Sequence, residues 1–325
     1  MHNRPQEEVG VNEASIIAEI VDGTIADQER DYKPGSLARR DVHSKSHGSF
    51  TDARVRILDR VAPGNIGLFG KSGYYFGASV RLSNGAPGTG PDILPNVRGI
   101  AIKVHGVLGD KLLVGDEQAD CCDFLLANHP VSFHRHLEDY PPIRDLMARG
   151  KVGQVLRRFK PEGRLLLKAV LKLVKNPLTI DYYSQTPYMF GDRAVKYALI
   201  AQQRSSFFSL PNIFDGAYLR HAAEKLLRKQ AVRFTLCVQF QQEGEPIEDP
   251  SVQWRGRLIP VAVLEIPRRR DDNPLLESSG EALSFNPWRT LPEHRPLGWV
   301  NRVREAVYRA DFTWRTNKNA GGTAS

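Results

Sequence analysis

Only three cysteines occur in 325 residues. Cys121 and Cys122 are neighbours, poorly placed to bridge each other, and Cys237 is distant in sequence. No zinc-ligand spacing accompanies them, so neither a disulfide scaffold nor a zinc module is expected, and a reducing, cytoplasmic setting is. No run of eighteen apolar residues exists, which leaves no segment to cross a membrane as a helix. The N-terminus is charged and polar and has no signal-peptide core. There is no internal repeat. No nucleic-acid-binding signature accompanies the net charge of +8, so no nucleic-acid partner is expected. The loop Asn84-Gly85-Ala86-Pro87-Gly88-Thr89-Gly90 is rich in glycine, but its spacing is wrong for a phosphate cradle and no helix follows it.

What is present suits an ordinary globular protein: 41% hydrophobic and 25% charged residues. The length allows a large core that also encloses a cofactor. Residues 1–36 are polar and broken, with a short helix over 14–21, and read as an N-terminal arm on the surface or on a partner subunit. From 48 to 132 the pattern is of strands separated by Gly, Pro and Asn, over 49–57, 73–81, 98–105 and 123–126.

Residues 134–178 turn towards helix. The plainest helix spans 164–175 and stops at Pro177; Arg164, Lys168, Lys172 and Lys175 recur there at helical spacing. Its functional reading is contact with anionic lipid, and its plainer reading is a helix packed inward with basic residues outside. Strands follow over 182–184, 194–201, 232–241 and 258–266, with a helix over 216–231, a charged surface loop over 267–279 and a closing helix over 296–315. The order implies an α+β fold: a closed or nearly closed antiparallel β-barrel with helices outside it. A main unit then spans 37–318 and a frayed tail 319–325.

The closing helix carries the chemistry. At about 100° per residue, Arg304, Tyr308 and Arg315 fall within roughly 40° of one another, so a phenol stands between two guanidinium groups. A nearby cation favours the ionised phenol. A phenolate is a hard oxygen donor, and tyrosine is one of the axial ligands of haem iron.

Three further stretches belong with it: Arg39-Arg40-Asp41-Val42-His43-Ser44; Ser79-Val80-Arg81-Leu82-Ser83 followed by Asn96-Val97-Arg98-Gly99; and Asp123-Phe124-Leu125-Leu126-Ala127-Asn128-His129-Pro130. With these in order and Arg304-x-x-x-Tyr308 last, the chain resembles the catalase superfamily. It is most similar to the short catalase-related haemoproteins that act on fatty-acid hydroperoxides, including the allene oxide synthase-like and minimal catalase branches. The resemblance covers roughly 35–135 and 180–315.

The resemblance implies haem b buried between the barrel and the C-terminal helix. Tyr308 matches the metal ligand and Arg304 the arginine that keeps it ionised. Arg40, Arg81 and Arg315 match the partners of the haem carboxylates. His43 matches the distal histidine, with Ser83 steadying its ring. Asn128 matches the distal asparagine, although counting back from Pro130 puts that position at Ala127. Gln185 lies near the place of a histidine that holds the proximal arginine. Val42, before the distal histidine, is the residue true catalases carry; the coral-type allene oxide synthases have threonine there. His134 and His136 read as surface residues.

The implied activity is hydroperoxide consumption, on organic or fatty-acid hydroperoxides before hydrogen peroxide, because full-length catalases carry long segments that this chain lacks. A small catalase or peroxidase, a non-catalytic haem carrier or sensor, and a biosynthetic haem enzyme are the other readings. Peripheral membrane contact and homo-oligomerisation are further expectations.

Overall fold

The computed structural model of the chain describes residues 5–59, 66–149, 151–206, 211–269 and 277–321. A helix α1 (Glu13–Asp31) leads into four consecutive antiparallel strands, β1 (Ser46–Ile57), β2 (Tyr75–Asn84), β3 (Arg98–His105) and β4 (Cys121–Ala127). Three short helices follow, α2 (Tyr140–Ala148), α3 (Val152–Arg158) and α4 (Lys160–Val170). The second set of strands is β5 (Tyr182–Tyr183), β6 (Tyr188–Phe190), β7 (Arg193–Ala201), β8 (Val232–Phe240) and β9 (Leu258–Ile266), with α5 (Tyr218–Lys229) between β7 and β8. The chain ends in α6 (Glu277–Ala282) and α7 (Trp299–Gly321).

The ring closes at two seams. β1 pairs with β9, and β5 pairs with both β4 and β7. Eight strands therefore form an antiparallel β-barrel, and β6 prolongs β5 along the same edge of β7. Among the described residues, closure pairs both edges of each of the eight barrel strands. An eight-stranded barrel has an interior just wide enough for side chains to fill it, and here they do: Phe76, Val80 and Leu82 of β2, Ile100 and Ile102 of β3, and Phe234 and Val238 of β8 belong to one buried cluster.

Side chains alternate across a strand, so the residues between these point outwards. In β2 they are Ser79, Arg81 and Ser83; in β3, Gly99, Ala101 and Lys103. An outward face is ordinarily wet, yet Ser79, Arg81, Ser83 and Lys103 are all buried. Helices cover that face. α7 lies beside α1 through Ile20, Val303 and Val307, and α6 packs on β1 with Gly280 directly against Ser49.

The expected β-barrel with helices outside is what the chain forms. The strands over 98–105 and 258–266 have the expected bounds, and the others differ by a few residues at their ends. Three elements differ more. The basic helix occupies Lys160–Val170 rather than 164–175, because Leu171 ends it and Lys172 and Lys175 lie beyond. The helix expected over 14–21 runs for 19 residues, and its apolar stripe is held against α7. The closing helix starts at Trp299 and continues to Gly321, where Asn319 hydrogen-bonds both backbone groups of Ala38. Of the loop expected over 267–279, residues 270–276 lie outside the described residues, as do residues 322–325 of the expected tail.

Candidate active site on the outer face of the barrel

His43 sits in the turn before β1, in the left-handed region at φ 59. Its Nδ1 lies 3.0 Å from the carbonyl oxygen of Asn84 and 3.2 Å from Ser83 Oγ. A carbonyl only accepts, so Nδ1 carries the proton and Nε2 keeps the lone pair. The ring rests on Gly99: a Cβ there would meet Nδ1 at 2.9 Å and Ser83 Oγ at 3.1 Å. Glycine is what lets the imidazole lie flat on the strand. Burial lowers the His43 pKa to about 3, and the Arg81, Arg304 and Arg40 guanidiniums push the same way. The imidazole is therefore neutral across the physiological range.

Beside it two guanidiniums meet a carboxylate, and a third meets the backbone of the same residue. Arg81 donates to Glu281 Oε1 at 2.7 Å and Arg40 to Oε2 at 3.3 Å, while Arg315 Nη1 donates to the Glu281 carbonyl at 3.0 Å. Arg81 also holds the His43 carbonyl at 2.8 Å. Burial alone would raise the Glu281 pKa, but Arg81, Arg40 and Arg315 outweigh it and hold the carboxyl below the usual range. Burial lowers the Arg40 pKa to about 9, with the Arg81 and Arg315 charges acting in the same direction. The arginines expected to meet carboxylates of a haem thus converge on one residue of the chain itself, Arg40 and Arg81 on the Glu281 carboxylate and Arg315 on its backbone carbonyl. A cleft of about 870 Å³, lined among others by Arg39, Arg40, Lys45 and Trp314, opens next to this cradle.

Opposite the barrel face stands α7. Arg304 donates to Thr186 Oγ1 at 3.2 Å, Asn301 Oδ1 at 3.4 Å and the Ser184 carbonyl at 3.5 Å. All three partners are neutral, so no carboxylate among the described residues cancels this charge. Ser184 and Thr186 lie where the eighth strand is interrupted between β5 and β6. There Gln185 adopts φ 64, and Asn301 closes the gap by bonding Thr186 Oγ1 and the Pro187 carbonyl.

Arg304 acts on Tyr308 through its charge and as a hydrogen-bond donor, lowering the phenol pKa, but burial is larger and leaves it raised overall. This corrects the picture of a phenol between two guanidiniums. Arg315, about two turns further on, pairs with Asp311 at 3.0 Å instead, and Asp311 itself works against ionisation of Tyr308.

Asn128 is the first residue beyond β4. Its Oδ1 accepts from the Arg98 backbone N–H at 2.8 Å, and its own N–H donates to the Arg98 carbonyl. Its Nδ2 is buried and has no partner among the described residues. Ala127, the other candidate, pairs with Gly99 and so shares the face on which His43 rests.

The geometry brings His43, Ser83, Arg81, Arg40 and Arg315 into one cluster and sets Arg304 close enough for its charge to act on both His43 and Tyr308. Gln185 does not reach Arg304; its amide donates to the Val131 carbonyl at 2.9 Å, and its neighbours Ser184 and Thr186 hold the guanidinium instead. His134 is half-buried rather than on the open surface: it lies between the rings of Phe133 and Tyr140, and burial lowers its pKa to about 3. His136 is exposed, and no group of three metal-ligating residues occurs among the described residues. Sequence reasoning missed Glu281, Asn84, Gly99, Thr186 and Asn301. Gly99 closes the stretch Asn96-Val97-Arg98-Gly99 but had no role assigned there, though a glycine within a strand signals a position where something approaches closely; the other four lie in none of the stretches that carry the resemblance.

No protein-family model matches the sequence, and no curated protein does. Solved structures do. A fungal catalase superposes with a TM-score of 0.59 at 16% identity, covering 96% of this chain and 64% of that one. Catalase A from Saccharomyces cerevisiae gives 0.59 at 15% identity, with 98% of this chain and 66% of that one covered. The chain spans about two thirds of the length of these catalases, and its fold is the catalase barrel with helices around it.

Proposed function

We propose that the chain is a haem enzyme that consumes hydroperoxides, organic or fatty-acid hydroperoxides first, and that it stands with the short catalase-related haemoproteins. One observation carries this reading. A neutral imidazole, with Nδ1 tied to a carbonyl and Nε2 left free, lies on a glycine of the barrel face within reach of the Arg304 charge, and the same arginine acts on Tyr308.

The residues fit the cofactor. Tyr308 would give its phenolic oxygen to the iron, with the uncancelled Arg304 charge favouring the phenolate. Arg40, Arg81 and Arg315 would take the haem carboxylates, as Arg40 and Arg81 already hold the carboxylate of Glu281 and Arg315 that of Asp311. Asn128 Nδ2, buried and unpartnered, is a donor in want of an acceptor. Bound there, haem supplies the chemistry of O–O cleavage. The chain supplies the proton handling. His43 Nε2 takes the proton from the hydroperoxide O–H and returns it to the departing oxygen, while Asn84 and Ser83 keep the ring from turning. The neutral imidazole at pH 7 is the form that can accept.

Hydrogen peroxide is the second reading. Val42 favours it, since an aliphatic neighbour puts no hydroxyl beside His43.

Reconstitution with haemin tests both. The bound form should show the absorption of high-spin ferric haem with a phenolate ligand, and Tyr308→Phe should change it; an unaltered spectrum removes Tyr308 as ligand. Loss of diene absorbance from a fatty-acid hydroperoxide, set beside oxygen release from hydrogen peroxide, ranks the substrates. His43→Ala should keep the haem and lose at least a hundredfold in turnover, in line with a general base; undiminished turnover refutes the proton role.

A further inference from the structure

The net charge of the chain is concentrated in one place. Eight of residues 151–175 are lysine or arginine and one, Glu162, is acidic, a balance of +7 against +8 for the whole chain. Glu162 is buried. Lys151, Arg157, Lys160, Arg164, Lys168 and Lys172 are exposed and form no ion pair among the described residues.

The same surface carries leucines. Leu167, Leu171 and Leu173 are 41%, 63% and 50% exposed. At about 100° per residue, Lys160, Arg164, Leu167, Lys168 and Leu171 share an arc of roughly 100° on α4. Leu166, with Val155 and Ile143, forms the inward cluster on the other side. The helix is therefore packed through one apolar stripe and presents a second, rimmed with cations, to the outside.

We propose that the α3–α4 face docks the protein on the surface of an anionic phospholipid bilayer, with Leu167, Leu171 and Leu173 at the acyl boundary and the lysines and arginines among the headgroups. Two weak signals acting together suit reversible binding: a short apolar insertion and attraction of a basic cluster to anionic lipid. Long basic side chains extend along apolar surface with their charges at the headgroup level, which lets Lys168 and Arg164 flank the leucines without penalty. The 11-residue α4 is too short to cross a bilayer, and no helix among the described residues is long and apolar enough to do so. A second copy is a poor occupant, because two faces of +7 repel each other.

The test uses the full chain and vesicles of phosphatidylcholine alone or mixed with phosphatidylglycerol, read by flotation. The protein should float with the mixed vesicles and stay behind with phosphatidylcholine. The pair Leu171→Asp and Leu173→Asp should weaken binding at least tenfold without lowering the melting temperature, since both side chains are exposed. Arg164→Gln and Lys168→Gln should weaken it about fivefold for each charge removed. Three results overturn the proposal: no flotation with the mixed vesicles, equal flotation with both kinds, or undiminished binding by the leucine pair. A dimer in sedimentation that the leucine pair dissociates also overturns it, in favour of a self-interface. Binding is read without any peroxide, so its failure leaves the haem reading untouched, and the converse holds.

Discussion

Two contacts set the chemistry of the site at the scale of single residues. The first is His43 on Gly99. Gly99→Ala would place a methyl group 2.9 Å from the imidazole, so the ring must move while the strand stays. The expected outcome is a cost of about 1–3 kcal/mol in stability, with turnover falling much further than haem content; unchanged turnover would show that the ring position is unimportant.

The second contact is Glu281 in its cradle. Glu281→Gln leaves Arg81 and Arg40 buried without a counter-charge, and breaking such a pair costs roughly 3–5 kcal/mol. Denaturant unfolding of the haem-free protein should register that loss, and a wild-type midpoint would mean the carboxylate does not sit there. The candidate residues His43 and Tyr308 and the arginines could be picked out in sequence because each lies in a short pattern of distinctive residue types. Glu281 was not, since it comes to Arg81 across 200 positions of sequence with nothing local to mark it.

At the scale of elements, the interrupted eighth strand is what ties α7 to the barrel. Breaking a strand frees backbone groups, and here the freed Ser184 and Pro187 carbonyls are taken up by Arg304 and Asn301 of the helix. Thr186 bridges both through its hydroxyl. Thr186→Val should cost about 1–3 kcal/mol by stranding those partners and should shift the haem absorption band, because Arg304 is no longer held towards Tyr308. A band identical to wild type would show that Arg304 needs no such anchor. β6 was illegible in sequence because only three residues separate Pro187 from Gly191. The long helix α1 was underestimated for a different reason. Its polar residues hide the stripe of Ile16, Ile20 and Thr24, which becomes meaningful only when α7 is present to receive it.

The whole molecule combines one closed barrel with several neutral buried histidines. Burial lowers His43 and His134 to about 3 and His47 and His294 to about 4. An unfolded histidine titrates near 6.5. Between that value and the folded ones the unfolded chain binds more protons, so stability falls as the pH drops below about 6.5, by on the order of 1 kcal/mol per group per pH unit. Asp41, raised by burial to about 6, opposes this weakly, and Glu281 adds its own loss only below the ordinary carboxylate range. The denaturant midpoint should be clearly lower at pH 5 than at pH 7, and a flat profile would contradict neutral burial. The barrel itself was legible as a class from the run of glycine-punctuated strands. Its closure through β5 was not, because a two-residue strand has no periodicity to read.

One consequence follows from the outward-facing site. In β2 and β3 the inward residues Val80, Leu82, Ile100 and Ile102 fill the barrel, and the intervening Arg81, Ser83 and Gly99 serve the site. Damage to folding and damage to catalysis should therefore interleave, position by position, along the same few strands. In a library covering residues 79–103, tolerance scored by abundance and tolerance scored by turnover should oscillate with opposite phase. A single inserted residue would exchange the two sets at a stroke.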